Sequence, residues 1–322
     1  MMAVNISGIP VVDFSAMTLK KNKDSLSEND EAIKDLANQM HQAFSTIGFV
    51  YLKNHGIPQE VIDSGFEIYD TFFNLSPEIK QNYSKKEGSS PNGWDELERE
   101  STNPERPGDL KESFDVGAVD DENFNWPNAE VPNFQSNVTS IYKYLADLGL
   151  KVLSVMAIGL QLEPDSFAYA YEKRGTLLGG TQLRSNYYPM IADISKVKPG
   201  QIRCGEHTDY GGIALLIQDD AGGLEVSHIN GHFVPARPMK GTVLVNIGDL
   251  MQRWTSDKLK STVHRVLIPE DEIKRRAPRR SLAFFVDPDV SALITCMDGL
   301  NKYPPITSGD WMQYRLKDTY KF

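Results

Sequence analysis

Residues 205–233 read GEHTDYGGIALLIQDDAGGLEVSHINGHF, and the texture of this stretch sets the fold class. Short apolar runs are separated by turn signals at Asp219-Asp220, Gly222-Gly223 and Asn230-Gly231. Asn-Gly between Val226 and Phe233 is a strong hairpin signal, because both residues tolerate the positive φ of a tight turn. The same texture runs from about Gly179 to Asp287, which predicts an all-β barrel or sandwich.

The stretch also opens on chemistry. His207 and Asp209 are two apart, so in a strand they point to one face, with Cα atoms roughly 6–7 Å apart. An imidazole and a carboxylate can then converge on one metal ion. His264, in the strand-like run 261–266, supplies a third donor. Two histidines and a carboxylate on one face of a metal leave its other positions open, as in non-haem iron(II) oxygenases. The same donors can also hold zinc. The other four histidines call for no ligand: His41 falls on a helix, His55 in a turn, and His228 and His232 flank the hairpin turn. Cys204 lies three before His207, and odd spacing predicts that it faces the other way.

Two more pairs share a face by the same spacing. Arg279 and Ser281 lead into the buried run Leu282-Ala283-Phe284-Phe285-Val286. A buried arginine needs an anionic partner. A ligand carboxylate held through the guanidinium fork is one solution, and a salt bridge to one of the 44 acidic residues is the other. Asn186 and Tyr188 form the second pair, with Arg184 on the same face.

Outward from this core, the N-terminal half is helical. Ile33, Leu36, Met40 and Phe44 predict a helix over about 30–46, followed by a strand at Phe49-Val50-Tyr51-Leu52. Further helices are expected at about 58–73, after Ser76-Pro77-Glu78, and at about 133–160. The Gly-, Pro- and Ser-rich stretch 85–108 reads as a long loop and a candidate lid. A closing helix is expected at about 308–320.

Read together, these motifs resemble the iron(II)/2-oxoglutarate-dependent dioxygenases of the isopenicillin N synthase-like family. They follow in family order: Ile9-Pro10-Val11-Val12-Asp13-Phe14, the run 48–57 (GFVYLKNHGI), Lys111-Glu112-Ser113-Phe114, Asn186-x-Tyr188-Pro189, His207-Thr208-Asp209, Asn246-Ile247-Gly248-Asp249, His264-Arg265-Val266 and Arg279-x-Ser281. The resemblance covers nearly the whole chain.

It implies a mainly β protein with flanking helices, whose core is a distorted jelly roll (double-stranded β-helix) wrapped by N-terminal and C-terminal helices. One globular unit over 1–322 would contain an N-terminal non-haem dioxygenase region at 5–130, a catalytic jelly-roll core at 176–290 and a C-terminal helix at 305–322. The resemblance implies His207, Asp209 and His264 as iron(II) ligands. Arg279 and Ser281 would hold the distal carboxylate of 2-oxoglutarate, with Tyr188 and Asn186 beside the co-substrate. O2 would be consumed, succinate and CO2 released, and a small molecule hydroxylated or desaturated, with ascorbate as an auxiliary reductant. Candidate substrate contacts are Tyr83, Trp94, Phe114, Arg184, Tyr210 and Phe285, and Arg184 could hold an anionic substrate. Asn246 to Asp249 reads as turn-forming.

Relatives that keep Arg-x-Ser without using 2-oxoglutarate leave open a same-fold iron(II) oxidase of oxidative-cyclase or ethylene-forming type. A non-catalytic binding protein on this fold and a zinc hydrolase are the alternatives from other classes. The net charge of −10 disfavours nucleic acid and anionic membranes as partners. Two cysteines form no disulfide framework and, with no leader-like N-terminus, suggest the cytoplasm.

Overall fold

In a computed structural model of the protein, residues 3–4, 8–20, 30–85 and 91–317 are described. The chain opens on β1 (Ala3–Val4) and β2 (Pro10–Asp13). The first helix, α1 (Glu31–Thr46), starts where the Asp30 carboxylate accepts the Ala32 N–H, satisfying an orphan donor of the first turn. Gly48, at φ +74°, turns the chain into β3 (Phe49–Lys53); a Cβ there would lie 2.2 Å from the Lys260 carbonyl oxygen. Then come α2 (Gln59–Phe73), the one-turn α3 (Pro77–Lys80), β4 (Gly93–Asp95), β5 (Glu112–Val116) and the long α4 (Phe134–Gly159).

The second half carries β6 (Gln182–Tyr188), β7 (Cys204–His207), β8 (Ile213–Gln218), β9 (Leu224–Ser227), β10 (Phe233–Pro235) and β11 (Thr242–Ile247). After α5 (Asp249–Trp254) follow β12 (His264–Val266), α6 (Glu272–Arg275), β13 (Arg279–Val286), β14 (Leu293–Ile294), β15 (Ile306–Thr307) and α7 (Ser308–Leu316). Residues 318–320 of the expected closing helix lie outside the described residues.

A nine-stranded sheet has the order β1-β2-β3-β11-β8-β13-β6-β5-β4, and a four-stranded sheet the order β10-β9-β12-β7. All pairings in them are antiparallel except β2 with β3. Together they form the distorted jelly roll that the motifs imply, with helices against the outer face of the large sheet.

Alternation along the central strands sorts the side chains. On β13, Leu282, Phe284 and Val286 face outward into the main core with Leu183, Leu215, Ile217, Val243 and Val245, beneath α4. The alternate residues Arg279, Ser281, Ala283 and Phe285 face inward. The register sets Arg279 beside Tyr188, Ser281 beside Asn186 and Ala283 beside Arg184. The residues that the two-apart spacing groups therefore share one inner surface.

Two expectations are corrected. The stretch 85–108 is not a free loop: β4 pairs with β5, and Trp94, Asp95, Glu100 and Ser101 are buried, so residues 91–108 form a packed wall (86–90 lie outside the described residues). Tyr83, Trp94 and Phe114 do not line the inner cavity. Tyr83 donates its hydroxyl to Glu130 and Trp94 its Nε1–H to Glu112. Phe114 is enclosed by Phe72 at 4.8 Å, Phe134 at 5.1 Å and Tyr69 at 6.1 Å between ring centroids. Packing against other rings and a hydrogen bond for each polar tip hold these side chains in the wall and core instead.

Phe114→Ala is expected to lower the free energy of unfolding by about 3–5 kcal/mol. Urea titration followed by tryptophan fluorescence measures this; a loss below about 1 kcal/mol would remove Phe114 from the core.

Candidate metal and co-substrate site

Between the sheets lies a cavity of about 880 Å3. At its inner end the donor atoms of His207, Asp209 and His264 all lie within 4.8 Å of one another. The antiparallel register of β12 on β7 sets His264 directly opposite His207, with ring centroids 4.3 Å apart. Asp209, on the loop after β7, brings Oδ1 to 3.8 Å from His207 Nε2 and 3.6 Å from His264 Nε2.

The surroundings aim these donors. His207 Nδ1 is 2.8 Å from the Gly205 carbonyl and His264 Nδ1 is 3.1 Å from the Thr262 carbonyl. A carbonyl can only accept, so each ring carries its proton on Nδ1 and turns a bare Nε2 inward. Burial, and then the neighbouring His207, push His264 down to about 4, so it is a neutral ligand at ordinary pH. Asn246 Nδ2 donates to Asp209 Oδ2 at 2.7 Å, leaving Oδ1 for a metal. The Asp249 N–H donates to the Asp209 carbonyl at 2.8 Å, and Thr208 Oγ1 donates to the Asp249 carboxylate at 2.8 Å.

The expected turn residues Asn246–Asp249 are thus an orienting shelf for the loop. The signal for Asn246 was present in the sequence. It is the polar residue among Val243, Val245 and Ile247 of a buried strand, and such a group needs a partner.

Gly211 permits the next step of the chain. A Cβ there would sit 1.7 Å from Asp287 Oδ1, and its absence lets Gly212 N–H reach that oxygen at 2.7 Å. Burial, with the charge on Asp209, pushes Asp287 up to about 7.

Cys204 departs from what its spacing predicts. A register irregularity between His264 and Val266 breaks the alternation, and Cys204 lines the cavity with Sγ 4.0 Å from His207 Nδ1. It approaches the protonated side of that ring, and burial pushes its thiol up to about 12. A protonated thiol is a poor metal ligand.

Deeper along the wall, Arg279 is 1% exposed. It donates to the Gly222 carbonyl at 2.9 Å, to Gln218 Oε1 at 3.2 Å and weakly to Ser281 Oγ at 3.4 Å, and stacks on Tyr188 at 4.8 Å. It makes no ion pair among the described residues. Its neighbour Arg280 takes the structural role, pairing with Asp70 and Asp219. Tyr188, Asn186 and Ser281 share the cavity wall with Arg279, and Asn186 Oδ1 is buried without a hydrogen bond.

Arg184, Tyr210 and Phe285 also line the cavity. Arg184 is already matched: it forks onto Asp115 with two bonds of 2.7 Å and reaches Glu100 at 2.9 Å. Both carboxylates compete with an anionic substrate for it. Met312, Gln313 and Leu316 of α7 roof the cavity. Arg315 of this helix pairs with Asp249, and Trp311 Nε1 donates to the Tyr210 carbonyl at 2.7 Å.

A jelly roll presenting two imidazole nitrogens and one carboxylate inward matches the donor set of non-haem iron oxygenases. Comparison with known proteins specifies it. Residues 9–136 match the family described as non-haem dioxygenase in morphine synthesis, N-terminal, and residues 180–288 match the 2OG-Fe(II) oxygenase superfamily. The chain is 32% identical to a proline hydroxylase of Petromyces alliaceus over 92% of this chain and 97% of that one. It is equally 32% identical to a 2-oxoglutarate-dependent dioxygenase of Glarea lozoyensis, over 90% and 95%. Among solved structures, a full-length Neurospora crassa protein in complex with alpha-KG superposes with a TM-score of 0.83 at 33% identity, covering 98% of each chain.

The chain belongs to the 2OG-Fe(II) oxygenase superfamily. It is an oxidoreductase of the isopenicillin N synthase-like class, a dioxygenase that uses Fe(II), 2-oxoglutarate and O2. No described helix is long and apolar enough to cross a membrane.

Asn246→Leu frees the Asp209 carboxylate to rotate and is expected to weaken Fe(II) binding about 10–100-fold. Anaerobic equilibrium dialysis measures it; unchanged affinity would remove Asn246 from this role.

Proposed function

We propose that His207, Asp209 and His264 hold the iron, and that Arg279 and Ser281, with Tyr188 and Asn186, hold 2-oxoglutarate. The protein then hydroxylates or desaturates a small molecule in the same cavity. The observation that carries this reading is the contrast between Arg279 and the other arginines around the cavity. Arg184 and Arg280 are matched by carboxylates, whereas Arg279 faces the cavity, buried, with only neutral partners. A buried guanidinium in that state is suited to a ligand carboxylate.

Iron, when bound, supplies the oxidising chemistry that couples decarboxylation of 2-oxoglutarate to attack on a C–H bond. The chain supplies placement and shielding. Carbonyls of Gly205 and Thr262 keep both imidazoles in the ligating tautomer. Asn246 holds one carboxylate oxygen away from the metal. Arg279 and Ser281 orient the co-substrate from its far end. Met312 and Leu316 exclude water at the mouth. The substrate lies against Phe285, Tyr210 and the outer edge of Arg184. Because Arg184 is matched by Asp115 and Glu100, a neutral or zwitterionic small molecule suits this wall better than a simple anion. Relatives fit that range: one is named a proline hydroxylase, and structures of the Neurospora crassa protein hold thymine or 5-formyluracil. The two buried free thiols suit a reducing compartment, and we place the protein in the cytoplasm.

The test is O2-dependent succinate formation from 2-oxoglutarate by the iron-loaded protein. His207→Ala is expected to abolish it, and Arg279→Ala to raise the half-saturating 2-oxoglutarate concentration at least about 100-fold, since two or more charge-assisted bonds at roughly 1.5–3 kcal/mol each are lost. Succinate formation that survives His207→Ala would refute the metal assignment. Unchanged 2-oxoglutarate dependence in Arg279→Ala would favour an oxidase that uses another carboxylate.

A further inference from the structure

Arg203 immediately precedes β7 and is fully buried, at 0% exposure. Its Nε and Nη1 have no hydrogen-bond partner, and its Nη2 makes one long contact, 3.4 Å, to the Ala277 carbonyl. No carboxylate lies within ion-pair distance of it among the described residues. Ala277 is two residues before Arg279, so the two guanidiniums enter the same part of the core. Neither has a carboxylate there. The nearby acids are engaged elsewhere: Asp219 pairs with Arg280, and Glu206 with Arg106 and Arg265. Burial, and after it the Arg279 charge, push Arg203 down to about 10, with Tyr188 and Asp219 pulling the other way.

Two like charges in one low-dielectric pocket are costly unless something offsets them. Arg203 is not among the residues lining the cavity, so it cannot itself grip a ligand there. Its field nevertheless adds to that of Arg279 at the cavity wall.

We propose that Arg203 is a positioning residue for the co-substrate: a second buried cation behind Arg279 that favours a 2-oxo dicarboxylate, whose distal carboxylate offsets both charges. The inference rests on the assignment of Arg279 to 2-oxoglutarate. It has a consequence that a packing role does not share. In the ligand-free protein Arg203 is unfavourable, so removing its charge relieves repulsion; in the complex the same change removes attraction.

The test uses full-length Fe(II)-loaded protein under anaerobic conditions. Calorimetric titration gives the affinity for 2-oxoglutarate, and thermal unfolding gives the stability without it. Arg203→Met is expected to weaken 2-oxoglutarate binding about tenfold while leaving the ligand-free melting temperature unchanged or higher. Arg203→Lys, which keeps the charge, is expected to bind close to wild type. Undiminished affinity in Arg203→Met, equal losses in the Met and Lys variants, or a ligand-free melting temperature lowered by several degrees (or a variant that does not fold) would each overturn the proposal. Arg279→Met serves as the control: if it too binds 2-oxoglutarate normally, the co-substrate assignment has failed rather than the role of Arg203.

Discussion

The antiparallel pairing of β12 with β7 is the constraint on which the site depends. It sets His264 opposite His207 at a ring separation of 4.3 Å, so the two imidazoles meet without any loop having to order them. The third donor comes from the turn that leaves β7, and it is held by a residue of the large sheet, Asn246 on β11. The three donors and the residue that orients one of them therefore draw on both sheets. Any slip of register in either sheet would turn donors away from the cavity, because alternation sends every other side chain to the opposite face. The outward set of the same strands packs beneath α4, and that core, rather than the polar site, holds the register.

Charge pairing around the cavity separates structure from function. Several buried or half-buried cations are matched by carboxylates: Lys80 with Glu112, Lys111 with Glu100, Arg184 with Asp115. Arg279 and Arg203 are the departures among the described arginines of the cavity end, and Arg203 reaches the Ala277 carbonyl, two residues before Arg279. Since an unmatched buried charge costs several kcal/mol, such a pair persists where a ligand offsets it. The closing helix is joined to the same scaffold, because Asp249 accepts from both Thr208 and Arg315. The closing helix and the loop carrying Asp209 are thus joined through Asp249, whose N–H also donates to the Asp209 carbonyl.

Much of this was legible in the sequence because it obeys a period of two. Arg279 with Ser281, and Asn186 with Tyr188, share faces by strand spacing alone, and the turn signals mark the strands between them; His207 and Asp209 come together although Asp209 lies on the loop after β7. The parts that were not legible depend on long-range pairing. The sequence marks Asn246 as a polar residue in a buried strand that needs a partner, but that the partner is Asp209 follows only from the folded contact. The inward turn of Cys204 follows from an irregularity in the ladder, which no spacing rule anticipates. Tyr83, Trp94 and Phe114 are apolar or amphipathic residues near the cavity in sequence, and such residues look alike whether they line a cavity or a core. The stretch 85–108 has a loop's composition, yet buried ion pairs, among them Lys85 with Asp95, fasten residues 91–108 as a wall.

If His207, Asp209 and His264 hold one Fe(II) ion, 2-oxoglutarate added to this cavity would chelate it. The most direct measurement is the visible spectrum of the Fe(II)-loaded protein titrated with 2-oxoglutarate in the absence of O2. The expected result is a weak charge-transfer band that saturates with 2-oxoglutarate and is absent from Asp209→Ala. Iron binding without any such band, or a band that persists unchanged in Asp209→Ala, would contradict the account.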